Sequence, residues 1–189
     1  MTGPTHILIG ISSGIGFSYA TSISPSLAQL LLLVIGSIAP DIDGNGMITR
    51  PGKRLKKVLP SILSKILDLI FINFGRLVNL LFGHRGFTHW PILAIGVIAY
   101  SMVNSHPLLF WFGLGYLSHI LGDFLTTEGV PMLAPISKKR FNLTEMKTGS
   151  TAEIIVAILL CFVIAVYGPK VVPVATQDTL ELFHNYVNY

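Results

Sequence analysis

Apolar segments of helical length follow one another along the whole chain, and they constrain its fold more than any other feature. Of the 189 residues, 51% are hydrophobic and only 12% are charged, whereas a soluble domain carries about 25% charged residues. A chain of this composition lacks the polar side chains needed to cover a water-exposed surface. We therefore expect residues 1–189 to form a single domain embedded in a membrane.

Five of the apolar segments are predicted to cross the bilayer. A spanning helix needs roughly 20 residues to cross a hydrocarbon core of about 30 Å. The last segment reaches this length, and the others reach it if their helices continue into the motifs that flank them. The segments cover residues 6–20, 27–39, 91–103, 108–125 and 154–174. The predicted fold class is all-α, a polytopic membrane helical bundle of about five spanning helices.

Residues 58–82 have a different, one-sided pattern. Their apolar side chains recur at helical spacing, whereas Lys65, Asp68 and Arg76 interrupt the apolar character of the segment. A basic stretch, "RPGKRLKK", precedes it. This pattern is typical of an amphipathic helix that lies in the lipid interface. A sixth spanning helix packed against the bundle is the alternative.

Two basic loops predict the orientation in the membrane. Residues 44–57 and 137–149 contain most of the lysine and arginine residues. The positive-inside rule places both loops in the cytoplasm and the C-terminal tail on the other side of the inner membrane of a prokaryote. No nucleic-acid-binding module is recognisable, and topology together with anionic lipid accounts for the basic runs.

In this topology, histidine and aspartate side chains collect at the cytoplasmic ends of the helices. His119 and Asp123 are four residues apart and share one helical face. Ionisable groups at membrane depth are costly and mark a site by default. The collected residues are His6, Asp41, Asp43, His84, His89, His119 and Asp123.

Imidazole and carboxylate groups suit one or two divalent transition-metal ions, zinc first, with manganese or iron as alternatives. The chain has one cysteine, Cys161, within an apolar run. A structural zinc site built from thiolates is therefore not expected.

Three motifs, "GSIAPDID", "HRGFTHW" and "GYLSHILGDFLTTEGVPMLAP", resemble the YdjM-like family of membrane-bound, predicted metal-dependent hydrolases. The resemblance covers roughly residues 1–150, including "PTHILIG", whereas residues 151–189 form the last membrane helix and the tail. Trp90 stands where the family often has a small polar residue. The family is distantly similar to zinc-dependent phospholipase C, which implies phosphoester substrates.

The resemblance therefore implies a phosphoesterase-like hydrolase that acts on a lipid or lipid-linked substrate at the cytoplasmic membrane face. A bound metal would activate a water molecule and polarise a phosphoryl oxygen. Arg85 is the candidate partner of a phosphate or carboxylate, and Asp43, if it is not a ligand, is the candidate base. Thr88 and Thr126 would orient ligands or substrate.

Two other classes of protein remain open. A divalent-metal transporter would need polar groups at the midplane and at both mouths of a path, whereas these residues occupy one rim. A non-catalytic membrane scaffold, with a structural metal or a polar network, would tolerate conservative substitutions. The sequence leaves the substrate and the oligomeric state open.

Overall fold

The computed structural model describes residues 1–43, 53, 57, 60–82 and 86–171, with only the backbone of Asp43 and Phe82. Over these residues the protein is all-helical and contains no strand, which confirms the all-α part of the predicted fold class. Two short 3-10 helices are present, Ala39–Asp43 and Phe87–His89. The helices are α1 (Gly3–Thr21), α2 (Leu27–Ile38), α3 (Ser61–Phe82), α4 (Pro91–Val103), α5 (Pro107–Phe124) and α6 (Thr151–Val171).

Local sequence signals begin these helices. A proline occupies one of the first two positions of α1, α4 and α5. Proline is favoured there because N–H groups in the first turn have no acceptor within the helix, so its lack of an N–H costs no hydrogen bond. Ser26 caps α2, and the side chain of Gln29 in turn accepts the Ser26 N–H, so that the two form a capping box. The apolar segments and the structural helices consequently agree to within a few residues.

Helix α5 is the centre of the bundle and contacts α1, α2 and α4. Its closest neighbour is α2, because glycines let the two backbones touch. A Cβ added at Gly36 would lie 2.1 Å from the Phe112 carbonyl oxygen, and one at Gly115 would lie 2.0 Å from the Leu33 carbonyl oxygen. Only glycine fits at such distances, as in other close helix pairs of membrane proteins.

Helix α6 packs against α1, and Glu153 joins the two. One carboxylate oxygen accepts the Thr2 N–H at 2.6 Å, and the other accepts the Gly149 N–H at 2.6 Å. Since Thr2 precedes α1, this buried carboxylate ties the beginning of α1 to the beginning of α6.

Among the described residues, one helix, α6, is both long enough and apolar enough to cross a membrane. Helices α2 and α4 are apolar but shorter. Helix α3 contacts the 3-10 turn Ala39–Asp43 and leaves large apolar side chains exposed, including Ile62, Leu69 and Leu80. The arrangement of five spanning helices with one interfacial helix stays a prediction.

The contact between α2 and α5 makes a testable prediction. Gly115→Ala should destabilise the fold by about 1–3 kcal/mol, because the added methyl group must push the two backbones apart. The measurement is the fraction of detergent-purified protein that remains monodisperse after heating. Gly96→Ala is the matched control, since a Cβ there meets nothing within 4 Å. Equal midpoints for the two variants would contradict the close packing.

Candidate metal centre

Four segments bring ionisable side chains to one end of the bundle. Helix α1 supplies His6, the 3-10 turn after α2 supplies Asp41, and the turn before α4 supplies His89. Helix α5 supplies His119 and Asp123, one turn apart. The Asp41 side chain is 16% exposed, and the other four side chains are 0% exposed. Segments far apart in the chain thus converge on one buried cluster.

Two histidine nitrogens in this cluster lie close to each other and to one oxygen of each of two carboxylates. His89 Nε2 lies 3.3 Å from His119 Nε2 and 3.5 Å from Asp123 Oδ2. His119 Nε2 lies 3.6 Å from Asp41 Oδ1 and 3.7 Å from Asp123 Oδ2, and His89 Nε2 lies 3.9 Å from Asp41 Oδ1. Tetrahedral ligands at zinc bond lengths of about 2.0–2.2 Å are roughly 3.3–3.6 Å apart. The residues therefore fit a small divalent cation.

Hydrogen bonds at the far side of each imidazole ring orient two of the histidines. His119 Nδ1 lies 2.8 Å from the Ser37 carbonyl oxygen, so a protonated Nδ1 donates there and leaves the Nε2 lone pair facing the cluster. His89 Nδ1 lies 3.1 Å from Thr88 Oγ1. The Tyr116 hydroxyl donates to the Thr88 carbonyl oxygen and holds that turn against α5. In metal-binding histidines, the ring nitrogen that does not bind the metal usually makes a hydrogen bond of this kind.

His6 completes the cluster. Its ring stacks on His119 with centroids 3.7 Å apart, and its Nε2 lies 3.3 Å from Asp123 Oδ1. Within the described part of the chain, neither ring nitrogen of His6 makes a hydrogen bond of normal geometry. Such burial of a polar side chain is costly unless a hydrogen bond or a metal compensates for it.

Two overlapping sets of three residues could each hold a metal ion, since the three ligand atoms within each set lie within 4.8 Å of one another. One is His6, Asp41 and His119, and the other is His89, His119 and Asp123. Because His119 belongs to both, the arrangement is compatible with one ion or with two.

Acidic and basic groups in the cluster are in close contact with one another. The Met1 amino nitrogen lies 2.5 Å from Asp123 Oδ1. Desolvation raises the pKa of the Asp41 carboxyl above its ordinary value, whereas the nearby His6 imidazole acts in the opposite direction. A divalent cation would favour the ionised carboxylate at the same place.

The structure thus brings together His6, Asp41, His89, His119 and Asp123 from the predicted ligand set. The side chain of Asp43 and residues His84 and Arg85 lie outside the described residues.

The two predicted threonines lie beside ligand-bearing turns. Thr88 is half-buried next to His89. The buried Thr126 hydroxyl donates to the Asp123 carbonyl oxygen at 2.8 Å and so closes the end of α5. Both contacts are suited to orienting a ligand rather than to touching a substrate.

Sequence reasoning missed two contributors to this centre. Ser37 takes part through its backbone carbonyl, which no side-chain pattern can reveal. Tyr116 was detectable, since it precedes His119 by three residues and shares the helix face of His119 and Asp123.

In the part of the chain that the structure describes, six helices, one of them able to cross the bilayer, and a buried histidine and aspartate cluster define an all-helical membrane protein with a candidate metal centre. The chain belongs to the YdjM inner membrane protein family, whose family model matches residues 1–179. The match includes α6, so the family extends beyond the motifs of residues 1–150.

Individual relatives agree with this assignment. Inner membrane protein YdjM of Escherichia coli K12 is 31% identical over 92% of this chain and 85% of its own length, and the Shigella flexneri protein of the same name gives the same values. Uncharacterized protein YvsG of Bacillus subtilis is 28% identical over 81% of this chain and 85% of its own length. No solved structure matches the chain.

The geometry predicts that the purified protein contains a transition metal. Replacing His89, His119 or Asp123 by Ala should remove most of it, because each change deletes a ligand, and elemental analysis measures the loss. Tyr116→Phe should weaken metal binding by about 10–100-fold, because it removes the hydrogen bond to the Thr88 carbonyl oxygen that holds the turn of His89 in place. His106→Ala is the matched control, since His106 lies at the opposite end of α5 against Tyr100. Full occupancy in all the Ala variants would disprove the site.

Proposed function

We propose that this protein is a membrane-bound, metal-dependent hydrolase that cleaves a phosphoester of a lipid or lipid-linked substrate at the cytoplasmic membrane face. The observation that carries the proposal is the convergence of four candidate ligand atoms from three segments, in which the Nε2 atoms of His89 and His119 each lie 3.3–3.9 Å from the other three atoms. Zinc fits this donor set of imidazole and carboxylate groups best, with manganese or iron as alternatives.

Exposure of one ligand favours a catalytic metal over a purely structural one. The Asp41 side chain is 16% exposed, whereas those of His89, His119 and Asp123 are 0% exposed. Structural zinc sites are closed, and catalytic sites keep a position for water or substrate. The partly exposed Asp41 side chain leaves one side of the cluster from which water or substrate can approach, and this supports a catalytic site.

The position of Asp41 also supports a lipid-linked substrate. Helix α3, with its exposed apolar side chains, contacts the turn that contains Asp41. A substrate headgroup can therefore reach the cluster along a surface suited to lipid, and α3 forms one wall of that approach.

A metal bound here would supply an activated water molecule and a charge that polarises a phosphoryl oxygen. Side chains of the protein bind the phosphate, accept the proton and orient a ligand. Arg85 binds the phosphate through its planar guanidinium, whose paired N–H groups match two phosphate oxygens. Asp43 accepts the proton of the water if it is not itself a ligand. Thr88 keeps the His89 ring turned toward the cluster.

The proposal places five helices across the membrane, α1, α2, α4, α5 and α6, with α3 in the interface. The basic residues between α5 and α6 support a cytoplasmic position for the site. The same geometry weighs against a transporter. His106 directly precedes α5, and the roughly 20 Å of helix between it and His119 contains no acidic or basic side chain.

Arg85→Lys separates substrate binding from metal binding. The lysine keeps the positive charge but loses the paired hydrogen bonds, so kcat/KM should fall by about ten- to a hundredfold while the metal content stays unchanged. The assay follows headgroup or phosphate release from a panel of phospholipids by the detergent-purified, metal-loaded protein.

Chelation and His119→Ala are the controls of that assay, and each should abolish release. Release that survives both would assign the activity to something other than this cluster. A fully metal-bound protein that turns over no lipid would favour the second candidate, a membrane scaffold stabilised by a structural metal. The complete burial of three of the ligand side chains is the observation on which that candidate rests.

A further inference from the structure

The loop between α5 and α6 presents apolar and basic side chains next to each other. Leu133 is 56% exposed and Ile136 is 95% exposed. Lys138, Lys139 and Arg140 follow directly and are exposed as well. Residues 131–143 contain no acidic side chain. The segment therefore combines an apolar tip with a local positive charge.

Backbone hydrogen bonds give this segment a defined shape. Val130 and Phe141 exchange two hydrogen bonds, of 3.0 and 2.9 Å, which close the segment at its base. The Ser137 N–H donates to the Leu133 carbonyl oxygen at 3.0 Å, next to the tip. Because the turn is held in place, Ile136 is projected outward, and its exposure to water would be unfavourable without a partner.

The position of the loop identifies the partner. The Leu143 N–H donates to the Phe124 carbonyl oxygen at 2.8 Å, which ties the loop to the end of α5. A few residues later, at Thr151, begins the helix that is able to cross a membrane. The loop therefore lies close to the level at which α6 enters the bilayer, where lipid phosphates and acyl chains are both within reach.

We propose that residues 133–143 form a lipid-docking loop that binds the anionic surface of the surrounding membrane. Leu133 and Ile136 insert at the boundary between headgroups and acyl chains, and Lys138, Lys139 and Arg140 bind lipid phosphates. Apolar side chains flanked by cations bind interfaces in this way, and each basic residue adds attraction to an anionic surface. The docking requires no hydrolytic activity.

Site-directed spin labelling of the full chain tests this proposal. In a Cys161→Ser background, one label is attached at Ile136→Cys and a control label at Thr148→Cys, an exposed position nearer α6. The protein is reconstituted in phosphatidylcholine vesicles with or without phosphatidylglycerol. Collisions of each label with oxygen, which concentrates in the acyl region, are compared with collisions with a water-soluble nickel chelate.

We expect the label at 136, but not the label at 148, to favour oxygen in vesicles that contain phosphatidylglycerol. Lys138→Gln with Lys139→Gln should lower the docked-to-undocked ratio by roughly thirtyfold, whereas the corresponding Arg substitutions should preserve it. Equal access of the nickel chelate to both labels would overturn the proposal. So would dipolar broadening between labels at 136, which would indicate contact with a second copy of the chain.

Discussion

The close approach of α2 and α5 determines the rest of the structure. Gly36 and Gly115 let backbone meet backbone, and no larger residue fits at either position without moving a helix. This contact places the Ser37 carbonyl oxygen against His119 Nδ1 and brings the turn that contains Asp41 to the end of α5. The candidate metal centre is thus a consequence of helix packing between small residues.

A second constraint is the cost of burying ionisable groups. Removing a charge from water without a partner costs several kcal/mol even after the protein relaxes. The cluster meets this cost by facing carboxylates with imidazoles and by orienting His119 and His89 through Ser37 and Thr88. A divalent cation would neutralise the carboxylates and engage the Nε2 lone pairs at once, and it would so offset the cost of burying three histidines together.

The sequence predicted the helices because the apolar runs, the leading prolines and the Ser26 cap act locally. It also predicted that five ionisable residues collect at one end of the bundle: His6, Asp41, His89, His119 and Asp123. The positions of lysine and arginine predict the direction of each helix in the membrane, and therefore which helix ends lie on the same side.

The remaining features depend on contacts between distant segments. Gly36 and Gly115 become informative only when α2 is known to face α5, and the carbonyl of Ser37 has no side-chain signature. Val130 and Phe141, whose pairing shapes the lipid-docking loop, form an isolated bridge. A single pair is too short to produce the alternation of apolar and polar residues by which a strand is recognised in a sequence.

X-ray absorption at the zinc edge of the purified protein tests the metal centre most directly. We expect four-coordinate zinc with nitrogen and oxygen ligands at about 2.0–2.2 Å, imidazole scattering from at least two histidines, and loss of the signal in the His119→Ala protein. Bound manganese or iron would require the same measurement at its own edge, with the same histidine signature. Sulfur ligands, or a wild-type protein that binds none of these metals, would contradict the assignment.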